Sequence, residues 1–407
     1  MYFSDTQRVK NLSPYEKLCP YCILIIKNVI LHQNLMIMEN KKLFEQVSFP
    51  KLTLKNRFVR SGVWMKMADE QGHITPELKD VYKSLVDGGV GLIITEYTFI
   101  DKYDQPNPGM IGMYDDLFID EWKEIIDYAH ANGTKIACQI AAGGSQSGLE
   151  EAKQRRIMGP SAVLNRVSGI TPAEMNEDDF NRLIENHKNA ALRVKRAGFD
   201  AVQIHAAHGY LLSQFLTPYY NRRTDKYGGS LHNRARIIYD VVSAVRSAVG
   251  DDYTVMIKVN MDDFMAEGEG LTFPESLEMF KHLDTLGLDF IEPSGANISA
   301  GNGIIQSFPR IARSVEKQSY FKEQVTEIAK NIKTPVILVG GNRNTTVMTD
   351  LLNNAGIPLF SFGRTLFSEP DLINKWVDNP DYVPKCVACN KCWDTTPNSC
   401  ILNRKRK

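Results

Sequence analysis

The chain has 407 residues, 43% hydrophobic and 24% charged, enough apolar mass for a large core and too much for a disordered chain. Lys+Arg and Asp+Glu both number 48, so the net charge of zero offers no global field to draw in nucleic acid or an anionic membrane. No apolar run approaches the roughly eighteen residues that cross a bilayer, and seven Cys, an odd number in a long chain, argue against a secreted disulfide scaffold. A reducing, cytoplasmic setting is expected.

Residues 1–37 show no clean period and no glycine. Their apolar run Ile23-Leu24-Ile25-Ile26 stops at Lys27, and Cys19-Pro20-Tyr21-Cys22 mimics a redox C-x-x-C without a βαβ pattern beside it. They read as an extension, with Met36 and Met38 as alternative starts. From Met38 the pattern turns regular. Eight β-rich apolar runs follow, near 58–63, 91–98, 134–140, 199–205, 253–260, 288–293, 335–339 and 358–362. Helical periods alternate with them near 76–88, 117–132, 178–197, 233–249, 274–286, 319–331, 345–354 and 370–377. Thr75-Pro76-Glu77 places a cap before an N1 proline, and Glu177-Asp178-Asp179 loads a first turn with negative charge. Strands alternating with helices imply a parallel sheet, and eight such units fit an α/β fold of the closed (β/α)8 TIM-barrel type. The barrel is expected over 38–380, with 381–407 a Cys-rich basic C-terminal segment ending in Asn403-Arg404-Lys405-Arg406-Lys407.

Active sites of such barrels sit at the C-terminal ends of the strands. The fourth strand ends in His205-Ala206-Ala207-His208-Gly209-Tyr210. Imidazole can donate to a carbonyl or phosphate oxygen, and a phenol stays protonated at neutral pH and can act as an acid. A metal pair, or two histidines satisfied by backbone, are the alternatives for His205 and His208. Arg234 falls in the first turn of a helix capped by Ser230, where a cation is locally disfavoured. It faces either an anionic or electron-rich partner or simply solvent. Gly340-Gly341 and Gly363-Arg364 close the seventh and eighth strands, where backbone N–H groups and a guanidinium can hold a phosphate. Gln139, ending the third strand, can read a heterocycle edge. Cys386, Cys389, Cys392 and Cys400 suit zinc or an iron–sulfur cluster, or pack as reduced thiols. No glycine-rich strand–turn–helix fingerprint marks a separate dinucleotide domain.

Taken together, Leu54-Lys55-Asn56-Arg57, Gly91 to Glu96, Gln139 with Gly143-Gly144, and His205-x-x-His208-Gly209-Tyr210 resemble the Old Yellow Enzyme family, the NADH:flavin oxidoreductases. Phe215-Leu216-Thr217-Pro218, the block Asn221 to Arg234, and Gly363-Arg364 complete the likeness, which runs in order over about 40–377. The resemblance implies a TIM barrel holding FMN non-covalently, an NAD(P)H-dependent oxidoreductase and a small-molecule substrate, with no nucleic acid, no membrane, and a homo-oligomer allowed. It implies that Ser61, Gly62 and Val63 contact the flavin by backbone, that Tyr97 and Gln139 flank its ring, and that Arg234 lies by the pyrimidine. Gly341, Gly363 and Arg364 would hold the phosphate. His205 and His208 would bind the carbonyl of an α,β-unsaturated substrate, flavin N5 would deliver hydride to its β-carbon, and Tyr210 would protonate the α-carbon.

Trp64 stands where many relatives carry a small residue, so it is expected to shape the substrate pocket. Ala142 replaces a polar residue. The terminal cysteines look like the iron–sulfur segment of the dienoyl-CoA reductase branch, with shorter gaps and without the flavodoxin-like and nucleotide domains that follow there. The rival readings are an enoate, dienoyl-CoA or steroid-type reductase of that branch, and a non-catalytic flavin- or metal-binding protein.

Overall fold

The computed structural model describes residues 41–149, 154–297 and 310–404. The extension over 1–37, with its C-x-x-C and alternative starts, lies outside them. The fold described here is the compact unit beginning at Leu43.

Eight parallel strands form the barrel: β1 (Phe58–Arg60), β2 (Leu92–Phe99), β3 (Lys135–Ala141), β4 (Ala201–Ala206), β5 (Thr254–Asp262), β6 (Phe290–Gly295), β7 (Ile337–Leu338) and β8 (Leu359–Phe362). The sheet runs β6-β5-β4-β3-β2-β1-β8-β7, all neighbours parallel. A parallel bridge between Ile291 and Val336 joins its two edges and closes the ring. Every strand expected from the sequence is present. Their apolar runs are continuous because strands buried on both faces do not alternate.

Around the barrel lie α1 (Pro76–Asp87), α2 (Lys123–Ala131), α3 (Glu177–Ala197), α4 (Leu231–Val249), α5 (Phe273–Leu283), α6 (Lys322–Asn331), α7 (Thr345–Asn354) and α8 (Leu372–Asp378). Thr75 caps α1 by accepting from the Leu78 N–H, with Pro76 in the first turn. Asn176 and Asp179 form a capping box on α3, and Gly198 ends it at φ 96. The helix expected from 117 begins instead as two 3-10 turns, Asp116–Phe118 and Asp120–Trp122, because Asp115 caps the first and Trp122 is drawn into the core.

Alternate strand residues feed two cores. Phe58, Ile93 and Val202 face the helices. Val59, Leu92, Ile94, Ala137, Ala201, Met256, Phe290, Ile337 and Leu359 fill the barrel interior. A small hairpin, Val47–Ser48 against Thr53–Leu54, was not expected from sequence. It sends Leu52, Leu54 and Phe49 onto that interior cluster, Phe49 meeting Phe290 edge-on at 4.7 Å. Leu52 and Leu54 are buried and contribute roughly 1.5–3 kcal/mol each, and with Phe49 half-buried beside them one end of the barrel is packed shut. The other end is polar, and it carries the site.

Candidate active site

Above the apolar layer five strands, and Ser61 just after β1, turn a polar side chain inward. Glu292 on β6 accepts from Ser61 at 3.0 Å, Ser361 at 2.9 Å and Lys258 at 3.0 Å through Oε1, and from Gln203 at 3.0 Å through Oε2. Gln203 in turn accepts from Gln139 Nε2 at 2.5 Å. Lys258 also donates to Ser61 at 2.9 Å. A buried carboxylate and ammonium persist only when paired and hydrogen-bonded, and this network supplies both conditions. It is the floor of a cavity of about 730 Å³ at the C-terminal ends of the strands, a size ordinary for a cofactor and substrate together.

The wall after β1 is Ser61-Gly62-Val63-Trp64, all lining the cavity. A Cβ on Gly62 would lie 2.7 Å from the Thr95 carbonyl oxygen and 3.0 Å from Gln139 Oε1, so only glycine fits there. Trp64 donates its indole N–H to the Pro108 carbonyl at 3.1 Å, which fixes the ring.

One end of the cavity is a cluster of rings. His205 lies 5.2 Å from Tyr210, 5.3 Å from His208 and 5.9 Å from Tyr97, centroid to centroid, and Tyr97 lies 5.2 Å from Tyr210. The turn that brings His208 in is tight: His208 has φ 63 and Gly209 φ 84, and the His208 N–H donates to Asn260 Oδ1. His208 Nε2 sits 2.7 Å from Ser294 Oγ. The Ala207 N–H donates to His205 Nδ1 at 3.2 Å, which leaves the proton of the neutral ring on Nε2. Burial, then the Lys258 charge, pushes His205 down to about 3. Enclosure, His205 and Lys258 hold His208 well below the usual histidine range. Both imidazoles are therefore neutral at physiological pH, and burial keeps Tyr210 protonated by raising its phenol.

The other end is cationic. Gly340 and Gly341 take φ 115 and 77, and a Cβ on Gly341 would meet Ala312 Cβ at 2.8 Å. Gly363 precedes the short helix Arg364–Ser368 at an ordinary φ of −94. Arg364 donates to Asn390 Oδ1 at 2.6 Å and the Arg310 carbonyl at 2.7 Å, and Arg343 to the Pro384 carbonyl at 2.8 Å. Two guanidiniums thus flank the glycines, both lining the cavity.

Of the site residues read from the sequence, Ser61, Gly62, Val63, Trp64, Tyr97, Gln139, His205, His208, Tyr210, Gly341, Gly363 and Arg364 all line this one cavity. Arg234 does not. Its guanidinium is buried and donates to the Leu216 carbonyl at 2.9 Å, the Gly229 carbonyl at 2.8 Å and Glu275 at 2.5 Å. The awkward charge in the first turn of α4 is answered by these partners, not by a cofactor. The cation on the cavity floor is Lys258, which the sequence reading passed over. Its signal was a lone Lys inside the apolar run Val255-Met256-Ile257-Lys258-Val259. Asn107, Gln146, Ser294 and Arg343 also line the cavity unforeseen, three of them from loops.

Cys386, Cys392 and Cys400 are buried and Cys389 half-buried, all as free thiols. Among the described residues no group of three or more His, Cys, Asp or Glu is arranged to hold a metal ion. The segment acts as wall: Cys386, Ala388, Cys392 and Trp393 line the cavity, and Asn398 donates to the Trp64 carbonyl at 2.9 Å and the Met65 carbonyl at 3.0 Å.

A profile of the NADH:flavin oxidoreductase / NADH oxidase family matches residues 42–379. The chain belongs to this family. It is 31% identical over 353 residues to an NADH oxidase of Thermoanaerobacter brockii, covering 86% of this chain and 52% of that protein, so it spans about half the length of that relative. It is 30% identical over 332 residues to an NADPH dehydrogenase of Bacillus subtilis (strain 168), covering 81% of this chain and 92% of the relative. Among solved structures the Old Yellow Enzyme homologue from Zymomonas mobilis superposes with a TM-score of 0.71 at 23% identity, over 84% of this chain and 94% of that one. Morphinone reductase in complex with tetrahydroNAD gives 0.69 at 25%, over 85% and 93%. Enzymes of this family bind FMN and use NAD(P)H. The residues present suit FMN: a glycine cradle with two arginines at one end, a polar floor, and a second glycine at the close approach beside Gln139.

Proposed function

We propose that this family member uses NAD(P)H to reduce the C=C bond of α,β-unsaturated carbonyl compounds. The observation that carries the reading is the ring cluster: two neutral imidazoles and a protonated phenol meet at one end of a cavity whose other end suits a phosphate. Ser61, Gly62, Gln139 and Lys258 would hold the FMN ring, and Gly341, Gly363, Arg343 and Arg364 its phosphate. When bound, FMN supplies hydride transfer in both directions. The remaining work falls to the chain. His205, with its proton on Nε2, donates to the substrate's carbonyl oxygen, and His208 stands beside it as the second carbonyl contact. Neutral donors aimed where negative charge develops stabilise it without first repelling Lys258. Trp64 and Tyr97 bound the space left for the substrate. Tyr210 gives its phenolic proton to the α-carbon.

Stopped-flow measurement of both half-reactions with a cyclic enone and a linear enal tests this. Tyr210→Phe is expected to leave flavin reduction near normal and to slow alkene reduction by about 10²- to 10⁴-fold, the scale of a positioned acid. Equal slowing of the two half-reactions would remove the acid role from Tyr210.

A further inference from the structure

The loop after β2 carries Gln105-Pro106-Asn107-Pro108 along the cavity rim. Prolines on both sides of Asn107 fix their own φ, and Pro108 drives Asn107 toward extended backbone. Neighbouring chain holds both prolines. The Pro106 carbonyl accepts from the Gly148 N–H at 2.8 Å and Ser147 Oγ at 3.0 Å, and the Pro108 carbonyl from Trp64 at 3.1 Å. The side chain of this stiff residue points into the ring cluster. Its Nδ2 lies 3.1 Å from the Tyr210 phenol oxygen and 3.2 Å from that of Tyr97.

An NH2 group has two hydrogens, and here each finds one phenol oxygen. A phenol oxygen that accepts from the amide keeps its own O–H free to point elsewhere. Were the amide oxygen turned to the phenols, both phenolic protons would be tied to it and neither would be available. The amide oxygen faces the opposite side: a Cβ on Gly148 would stand 3.0 Å from Asn107 Oδ1.

We propose that Asn107 is a positioning residue for the proton donor, its amide donating to Tyr210 so that the Tyr210 O–H faces the cavity and the phenolate left behind meets a waiting donor. The inference rests on the reading of Tyr210 as the acid. In that step the Tyr210 O–H bond breaks and a C–H bond forms at the substrate's α-carbon from the enolate's electron pair. The O–H electrons stay on the phenol oxygen, and water restores the proton after product leaves. Tyr97 and Gln146 also face the Tyr210 oxygen and favour its ionised form, as Asn107 does, against the burial that raises it. The titratable groups around Tyr210 are Tyr97 on β2 and His205 and His208 at the end of β4, with Lys258 on β5 engaged by Glu292.

The test uses three variants of the FMN-loaded protein beside Tyr210→Phe. Asn107→Asp keeps the shape and offers only acceptors. Asn107→Leu removes both functions, and Gly148→Ala presses on the amide from behind. For Asn107→Asp and Asn107→Leu, the ratio of alkene reduction to flavin reduction should fall about tenfold to a hundredfold, the scale of a lost hydrogen bond to a charged group. Gly148→Ala should lower it less. Ultraviolet titration of Tyr210, as a difference against Tyr210→Phe, should show its ionisation moved to higher pH, most in Asn107→Asp. If Tyr210→Phe slows alkene reduction while Asn107→Asp matches wild type in rate and titration, Asn107 merely fills space and the proposal is overturned, with the acid role intact. If Tyr210→Phe slows neither half-reaction selectively, the acid role fails and takes this proposal with it.

Discussion

The two ends of the cavity solve opposite electrostatic problems. At the ring end His205, His208, Tyr97 and Tyr210 are titratable groups that burial holds neutral. At the glycine end Arg343 and Arg364 are charged, and backbone carbonyls from distant segments steady them. The ring end is carried on strands β2 and β4 and the loops that follow them directly. The glycine end is assembled from the turns after β7 and β8 and from the C-terminal segment. The same enclosure that discharges an imidazole leaves a guanidinium charged, because arginine gives up its proton only far above physiological pH. A single low-dielectric cavity can therefore offer a neutral donor at one end and a fixed cation at the other.

That division can be broken experimentally. Arg343→Met with Arg364→Met should weaken FMN binding by about 10²- to 10⁴-fold, because two charge-assisted hydrogen-bond donors to the phosphate are removed together. Fluorescence titration with FMN reads the change. His205→Ala with His208→Ala should instead weaken phenolic ligands, which imitate an enolate, by about tenfold to a hundredfold, with a much smaller change in FMN affinity. If both pairs of substitutions move both affinities equally, the two ends are one unit. Gly341→Ala should cost about 1–3 kcal/mol in denaturation free energy, since its φ of 77 and the 2.8 Å approach to Ala312 both oppose a side chain.

A separate effect concerns pH. Glu96, on β2 beside the ring end, accepts from the Met65 N–H at 2.7 Å through one oxygen while its other oxygen is buried without a partner. Burial raises it from 4.5 to about 8. The folded state thus holds a proton that the unfolded chain has already released, and stability falls as pH rises from about 4.5 to about 8. Glu96→Gln should flatten that fall in thermal melts. Identical slopes for variant and wild type would show that Glu96 is ionised in the fold.

The strand-borne end was the legible one. Each barrel strand announced itself as an apolar run, and His205, His208 and Tyr210 stood together in a short stretch of sequence. What stayed hidden was carried by contacts far apart in the chain. Asn107 sits 103 positions from Tyr210, and its flanking prolines announce a stiff loop without saying what its amide faces. Lys258 pairs with Glu292 across a strand boundary that sequence does not draw. Arg234 shows the converse: its local setting announced a charge that needs an anionic partner, and the structure supplies one, Glu275, from a distant helix, with the Leu216 carbonyl and the nearby Gly229 carbonyl beside it.

Asn398 has a consequence for how this protein is made. It reaches back across 334 positions to the carbonyl of Trp64, on the first wall of the cavity. Loop closure over such a span is entropically late. During synthesis β1 to β6 can emerge and begin to associate, yet the wall after β1 waits for residue 398 before its last support exists. All eight barrel strands are therefore made before that support for the wall after β1 exists.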